Sequence, residues 1–224
     1  MKAALLALLC LIPFSAQDKP SASAKSTQDK APEIRYTADS VWAKVNPEGA
    51  GAKFSMPNEP KYVKIRMDKV VKSQAITVHQ YKTTINKGTA NFVFVYNDIN
   101  YKLDTERKIN NYLNSGMQGS KARVLGTMVS TKNIMHGKHP GREFTYDAEL
   151  GGIKYRFSAK IILVEKRLYQ LNLIMVKDQH DPRMVQKFFD SFKLVTAKAA
   201  SDADASGENE ESSEEESDGE TPTR

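Results

Sequence analysis

His136 and His139 stand three residues apart, a spacing at which two imidazoles can share a metal ion if the backbone points both rings one way. No third or fourth ligand accompanies them. Gly137, Pro140 and Gly141 mark a turn instead, so the segment reads as a loop before a strand that starts at Arg142, and no metal is expected. His79 alternates within a strand and reads as a half-exposed sheet residue; His180, beside Asp181, reads as part of a helix entrance. Asp147 and Glu149 share a strand face and could imitate a hydrolase's carboxylate pair. Without a flanking apolar pocket in the sequence, the expectation is a solvated sheet face. No serine lies in a Gly-x-Ser-x-Gly elbow. Gly116-Met117-Gln118-Gly119 follows a predicted helix, where a dinucleotide fingerprint would open one. The single cysteine, Cys10, lies in the N-terminal apolar run, so removal of that run leaves no thiol for disulfides or catalysis. Neither a catalytic set nor a cofactor is expected.

The cations point elsewhere. Lys154, Arg156 and Lys160 share a strand face, and Lys64 and Arg66 share another. Arg142 follows Pro140-Gly141, where it could serve as a recognition residue or simply begin a strand in front of a core Phe144. Residues 51–200 hold 26 Lys and Arg against 12 Asp and Glu, a net +14, whereas residues 201–224 hold ten acids and one base. A field of that sign draws anionic partners. The expected partner is a protein or a polyanionic envelope component, met through Lys154, Arg156, Lys160, Arg142, Lys64 and Arg66. No recognition motif accompanies the charge, and export argues against nucleic acid.

Export is read from the first sixteen residues. Lys2, the apolar run Ala3 to Phe14 and the small pair Ser15-Ala16 have the order of a secretory signal peptide. The run is shorter than the ~20 residues that span a bilayer, so the mature chain is expected in the periplasm or outside the cell with no transmembrane segment. Lipidation at Cys10 would need a small residue where Leu9 stands. Residues 17–33 read as a flexible linker, 34–197 as one domain, and 198–224 as a disordered acidic tail.

The elements that must position these groups follow from periodicity. Val63, Ile65 and Met67 alternate with Lys64, Arg66 and Asp68 as in a half-buried strand. Gln74–Thr84 predicts a second strand, Asn86-Lys87-Gly88 a turn, and Phe92–Tyr96, apolar on both faces, a central strand. Ile109, Tyr112, Leu113 and Met117 predict a helix capped by Asp104 and ended by Gly116 and Gly119. Strands over 123–134, 142–150, 153–161 and 168–176 follow, with hairpin turns at Gly151-Gly152 and Glu165-Lys166-Arg167. Asp181-Pro182 opens a last helix whose Val185, Phe188, Phe189 and Phe192 form one apolar face. A short helix is also expected near Asp39–Val45. Hairpin connections imply an antiparallel sheet with helices packed on it, an α+β domain.

Several segments carry a family resemblance: Phe54-Ser55-Met56-Pro57-Asn58-Glu59-Pro60, Val78-His79-Gln80-Tyr81, Phe94-Val95-Tyr96-Asn97-Asp98, His139-Pro140-Gly141-Arg142-Glu143-Phe144, Arg167-Leu168-Tyr169-Gln170-Leu171 and Phe188-Phe189-Asp190-Ser191-Phe192-Lys193-Leu194. Over residues 40–196 the chain resembles exported bacterial proteins of the PsbP-like superfamily. The resemblance implies an α/β/α sandwich and a non-catalytic, protein-binding role, and it transfers no functional residue. The working expectation is an exported binding module. Its rivals are an envelope-acting hydrolase or transferase using surface carboxylates, and a purely structural envelope component.

Overall fold

In the computed structural model, residues 35–71, 74–100 and 102–195 are described. The segments expected to form a signal peptide (1–16), a linker (17–33) and an acidic tail (198–224) lie outside the described residues. Among the described residues are ten strands and two α-helices: β1 (Ala43–Val45), β2 (Ala52–Met56), β3 (Lys61–Val71), β4 (Gln74–Ile85), β5 (Ala90–Asp98), α1 (Glu106–Arg123), β6 (Thr127–His136), β7 (His139–Leu150), β8 (Ile153–Val164), β9 (Arg167–Val176), α2 (Pro182–Ser191) and β10 (Lys193–Leu194). Seven strands form an antiparallel sheet in the order β3-β4-β5-β9-β8-β7-β6, and β1-β2-β10 form a second, small one. The α+β class stands. No helix among the described residues is long and apolar enough to cross a membrane.

Alternation sorts the large sheet into two faces. One carries Phe92, Phe94, Tyr169, Leu171 and Leu173, and is covered by α2 and the small sheet through Phe188, Phe192, Phe54 and Met56. The other carries Phe144, Tyr146, Phe157, Ile161 and Ile174, against which α1 sets Leu113 and Met117. The Phe92–Tyr96 segment is buried on both faces, as its unbroken apolar run requires. Asp181 caps α2 by accepting from the Arg183 amide, with Pro182 in the first turn. Asn86, Lys87 and Gly88 all take positive φ in the turn to β5.

Several local expectations fail for identifiable reasons. The segment near Asp39–Val45 is a turn followed by β1, not a helix. Lys187 donates to the carbonyls of Ala38 and Ser40 and sits 4.8 Å over the Trp42 ring, so tertiary contacts hold it against α2. The α1 cap is Thr105, which accepts from the Lys108 amide, while Asp104 takes the Lys108 ammonium. Gly116 and Gly119 do not end α1. Gly116 is buried, and the helix runs on to Arg123. It closes where Leu125 adopts positive φ and the Gly126 amide reaches back to the Lys121 carbonyl, so β6 starts at Thr127 rather than Arg123. Pro140 and Gly141 are not a turn either. They pair with Met135 and Ile134 inside the β6–β7 hairpin, whose two-residue turn is Gly137-Lys138. A Cβ on Gly141 would strike the Ile161 carbonyl, so glycine serves close strand approach there. β3 is an edge strand, with Val63 exposed and Ile65 half-buried.

Candidate functional site

The hairpin sets His136 directly opposite His139, but among the described residues no group of three metal-ligating side chains forms. His136 packs instead on the Phe192 ring, 5.1 Å between centroids. Burial, with Lys160, Lys193 and His139 adding to it, pushes its pKa down.

The supposed basic stripe is met by acids. Register places Lys154 opposite Glu149, Arg156 opposite Asp147 and Lys160 opposite Glu143. Arg156 grips Asp147 with two hydrogen bonds of 2.7 and 2.9 Å, Lys177 adds a contact of 2.9 Å, and Lys160 lies 3.3 Å from Glu143. The hydrogen bond from Arg156 holds the Asp147 carboxyl down at about 2, with Lys177 helping. This row is an ion-pair ladder along a sheet face. It also explains why Asp147 and Glu149 make a poor acid–base pair: Arg156 and Lys177 hold Asp147 ionised. Beside it His180 places Nε2 3.4 Å from Ser158 Oγ, and burial, with Arg156, lowers the His180 pKa. Ser158 itself is buried, which withholds it from any substrate. Arg142, far from being a loop residue, is buried in β7.

Lys64 and Arg66 have a different setting. Among the described residues β3 pairs with β4 alone and β1 with β2 alone, so each has an unpaired edge. Between them lies a cleft of about 450 Å³, lined by Ala43, Lys44, Val45, Asn46, Glu59, Pro60, Tyr62 and Tyr81. Its aromatic wall is built by cross-strand pairing. Tyr62 lies opposite Tyr81, Lys64 opposite His79, and His79 opposite Tyr96. The Tyr62 and Tyr81 rings are 4.8 Å apart, His79 stacks on Tyr96 at 4.4 Å and 5°, and Tyr62 Oη meets His79 Nδ1 at 2.9 Å. Tyr62 remains 47% exposed.

The wall is anchored from behind. Arg167 lies 5.3 Å over the Tyr96 ring, forks onto Asp98 at 2.6 and 3.0 Å, and donates to the Gly49 and Ala50 carbonyls. Asp98 raises the Arg167 pKa, fixing the cation. Burial lowers the His79 pKa, with Lys64 and Arg167 reinforcing it and Asp98 opposing. Burial likewise lifts Tyr96 to about 12, so its hydroxyl stays protonated. The result is a rigid aromatic ledge with Lys44 in the wall and Lys64 beside it. Such a surface can stack planar groups or proline, hydrogen-bond an extended backbone, and attract anions.

In fold, the chain is similar to the solution structure of cyanobacterial PsbP from Synechocystis sp. PCC 6803, at 12% identity over 73% of this chain and 99% of that one, with a TM-score of 0.49. It is also similar to a protein of unknown function from Pseudomonas aeruginosa, at 12% identity over 65% of this chain and 92% of that one, with a TM-score of 0.40. Neither a family model nor a curated protein matches the chain.

The cleft was not legible in the sequence. The short β1 and β2 carry little periodicity, and their placement against β3 depends on the packing of α2. The alternation of Tyr62 with Lys64, and of His79 with Tyr81, was the only available signal.

Proposed function

We propose that the protein is an exported, non-catalytic binding module that receives an extended, anionic segment of a protein or an envelope polymer in the cleft between β1 and β3. The observation that carries this reading is the cleft itself: two unpaired strand edges facing an exposed Tyr62–Tyr81 ledge, with Lys44 and Lys64 at hand. Export rests on the signal-like order of residues 1–16. The ion-paired Asp147 disfavours the hydrolase alternative.

The test is capture from an envelope fraction by the mature chain, compared with Tyr62→Ala and Lys64→Glu. Both side chains are surface-exposed, so neither change should disturb folding. One stoichiometric partner retained by the native chain and weakened about ten-fold or more by Tyr62→Ala supports the reading. Equal retention by all three proteins contradicts it.

A further inference from the structure

Lysines cross the outer face of the small sheet in a row. Register sets Lys193 of β10 opposite Lys53 of β2, and Lys44 of β1 opposite Ser55, two residues further along β2. Directly opposed residues share a face, as do residues two apart on one strand. Lys193, Lys53 and Lys44 therefore stand together, while the other face of the sheet sends Phe54 and Met56 into the core. All three are exposed, and among the described residues none is ion-paired. Like charges directly across a ladder repel, and no acid of the small sheet answers Lys193 and Lys53. The row ends at the cleft between β1 and β3, where Lys44 is part of the lining and exposed Lys64 stands on β3. Glu59 is the acid in that lining.

The chain leaves the described fold at the other end of the row. The Val195 amide donates to the Gly51 carbonyl, so residue 196 sets out from beside the start of β2. From there to Lys44 is two strand spacings across, about 10 Å, and four residues along β2, about 13 Å. An extended chain covers at most about 3.6 Å per residue, so residues 196–202 can span that distance. The first acid after Val195 is Asp202, and residues 203–220 hold nine more acids and no base. We propose that residues 202–220 fold back over Lys193, Lys53 and Lys44 and lay their carboxylates at the mouth of the β1–β3 cleft. The chain's own acidic segment then occupies the site until a partner displaces it. This rests on the cleft being the binding surface. Residues 201–224 contain no large apolar side chain, so the segment meets the lysines and leaves the Tyr62–Tyr81 ledge uncovered. Exposed ion pairs are individually weak and screened by salt, while the tether keeps the acids at high local concentration. An anionic partner that also stacks on Tyr62 gains a contact that the segment lacks.

A carbodiimide, which joins a carboxylate to an amine only where they touch, is the probe. It is applied to the dilute mature chain, and the products are mapped by peptide mass spectrometry. An equal mixture of ¹⁵N-labelled and unlabelled chain separates crosslinks within one molecule from those between two. The expected result is intramolecular crosslinks from 202–220 concentrated on Lys193, Lys53, Lys44 and Lys64. They should be lost at 1 M salt, where the Debye length is about 3 Å. The paired change Lys53→Gln and Lys193→Gln, outside the cleft, should reduce the crosslinks to Lys44 and Lys64. Tyr62→Ala should leave the pattern unchanged. Because no envelope material is present, the crosslinks decide the place of the acidic segment whether or not the cleft captures a partner. Lysines that merely guard a sheet edge would be crosslinked no more than the rest. Crosslinks spread evenly over exposed lysines, including Lys102 and Lys108 beside the start of α1, overturn the proposal. So do crosslinks found only between labelled and unlabelled chains.

Discussion

Asp147 shows how single residues here trade apparent function for stability. Its carboxyl is held at about 2, against 3.8 for a free aspartate, chiefly by Arg156. Between those values the unfolded chain takes up a proton that the folded protein refuses, so stability falls on acidification. The contribution is complete above about pH 4 and lost as pH falls through about 2, a loss of about 1–2 kcal/mol after allowance for solvent screening. Denaturant unfolding of the native chain and Asp147→Asn should therefore converge as pH falls across that window. His79, His136 and His180 act at higher pH. Burial lowers all three pKa values, so the unfolded chain takes up these protons at higher pH than the folded protein, and stability declines as pH falls below 6.5. His180→Gln should flatten part of the decline between pH 7 and pH 5, measured by the same unfolding experiment. The residue types along β8 were plain in the sequence. The register that sets each base against an acid of β7 was not, because pairing depends on the exact hairpin turn.

At the scale of elements, α2 is the clearest case of sequence dictating structure. Its Asp181 cap, Pro182 start and phenylalanine spacing all agree, and Phe188 packs edge-on to Phe92 at 5.3 Å with no exposure. Phe188→Ala should cost about 3–5 kcal/mol, read as a sharp drop in melting temperature. An unchanged midpoint would contradict the docking of α2. The long strands β4, β5, β8 and β9 were equally legible, since each carries an unambiguous alternation or apolar run. Glycine was the misleading residue. Gly116 and Gly141 look like stops in a linear reading, yet one lies buried within α1 and the other lets β7 approach β8 closely. Both roles are set by neighbours distant in sequence, which local propensity does not report. β1 and β10 were missed because three- and two-residue strands have no period to detect.

At the scale of the whole molecule, net charge alone does not locate a contact surface. Residues 51–200 carry a net +14, but Arg156 and Lys160 of the β8 stripe are ion-paired with Asp147 and Glu143. What remains near an open binding surface is Lys44 and Lys64, beside two strand edges and an aromatic ledge. A partner arriving there would extend a sheet edge and cover Tyr62. Hydrogen–deuterium exchange of the mature chain, alone and with the partner captured from the envelope, tests that claim most directly. The account predicts slowed exchange confined to the amides of Ala43–Val45 and of 61–66, with the ladder on β7 and β8 unchanged. Protection centred on 154–160, with the amides of β1 and β3 exchanging as in the free protein, would contradict it.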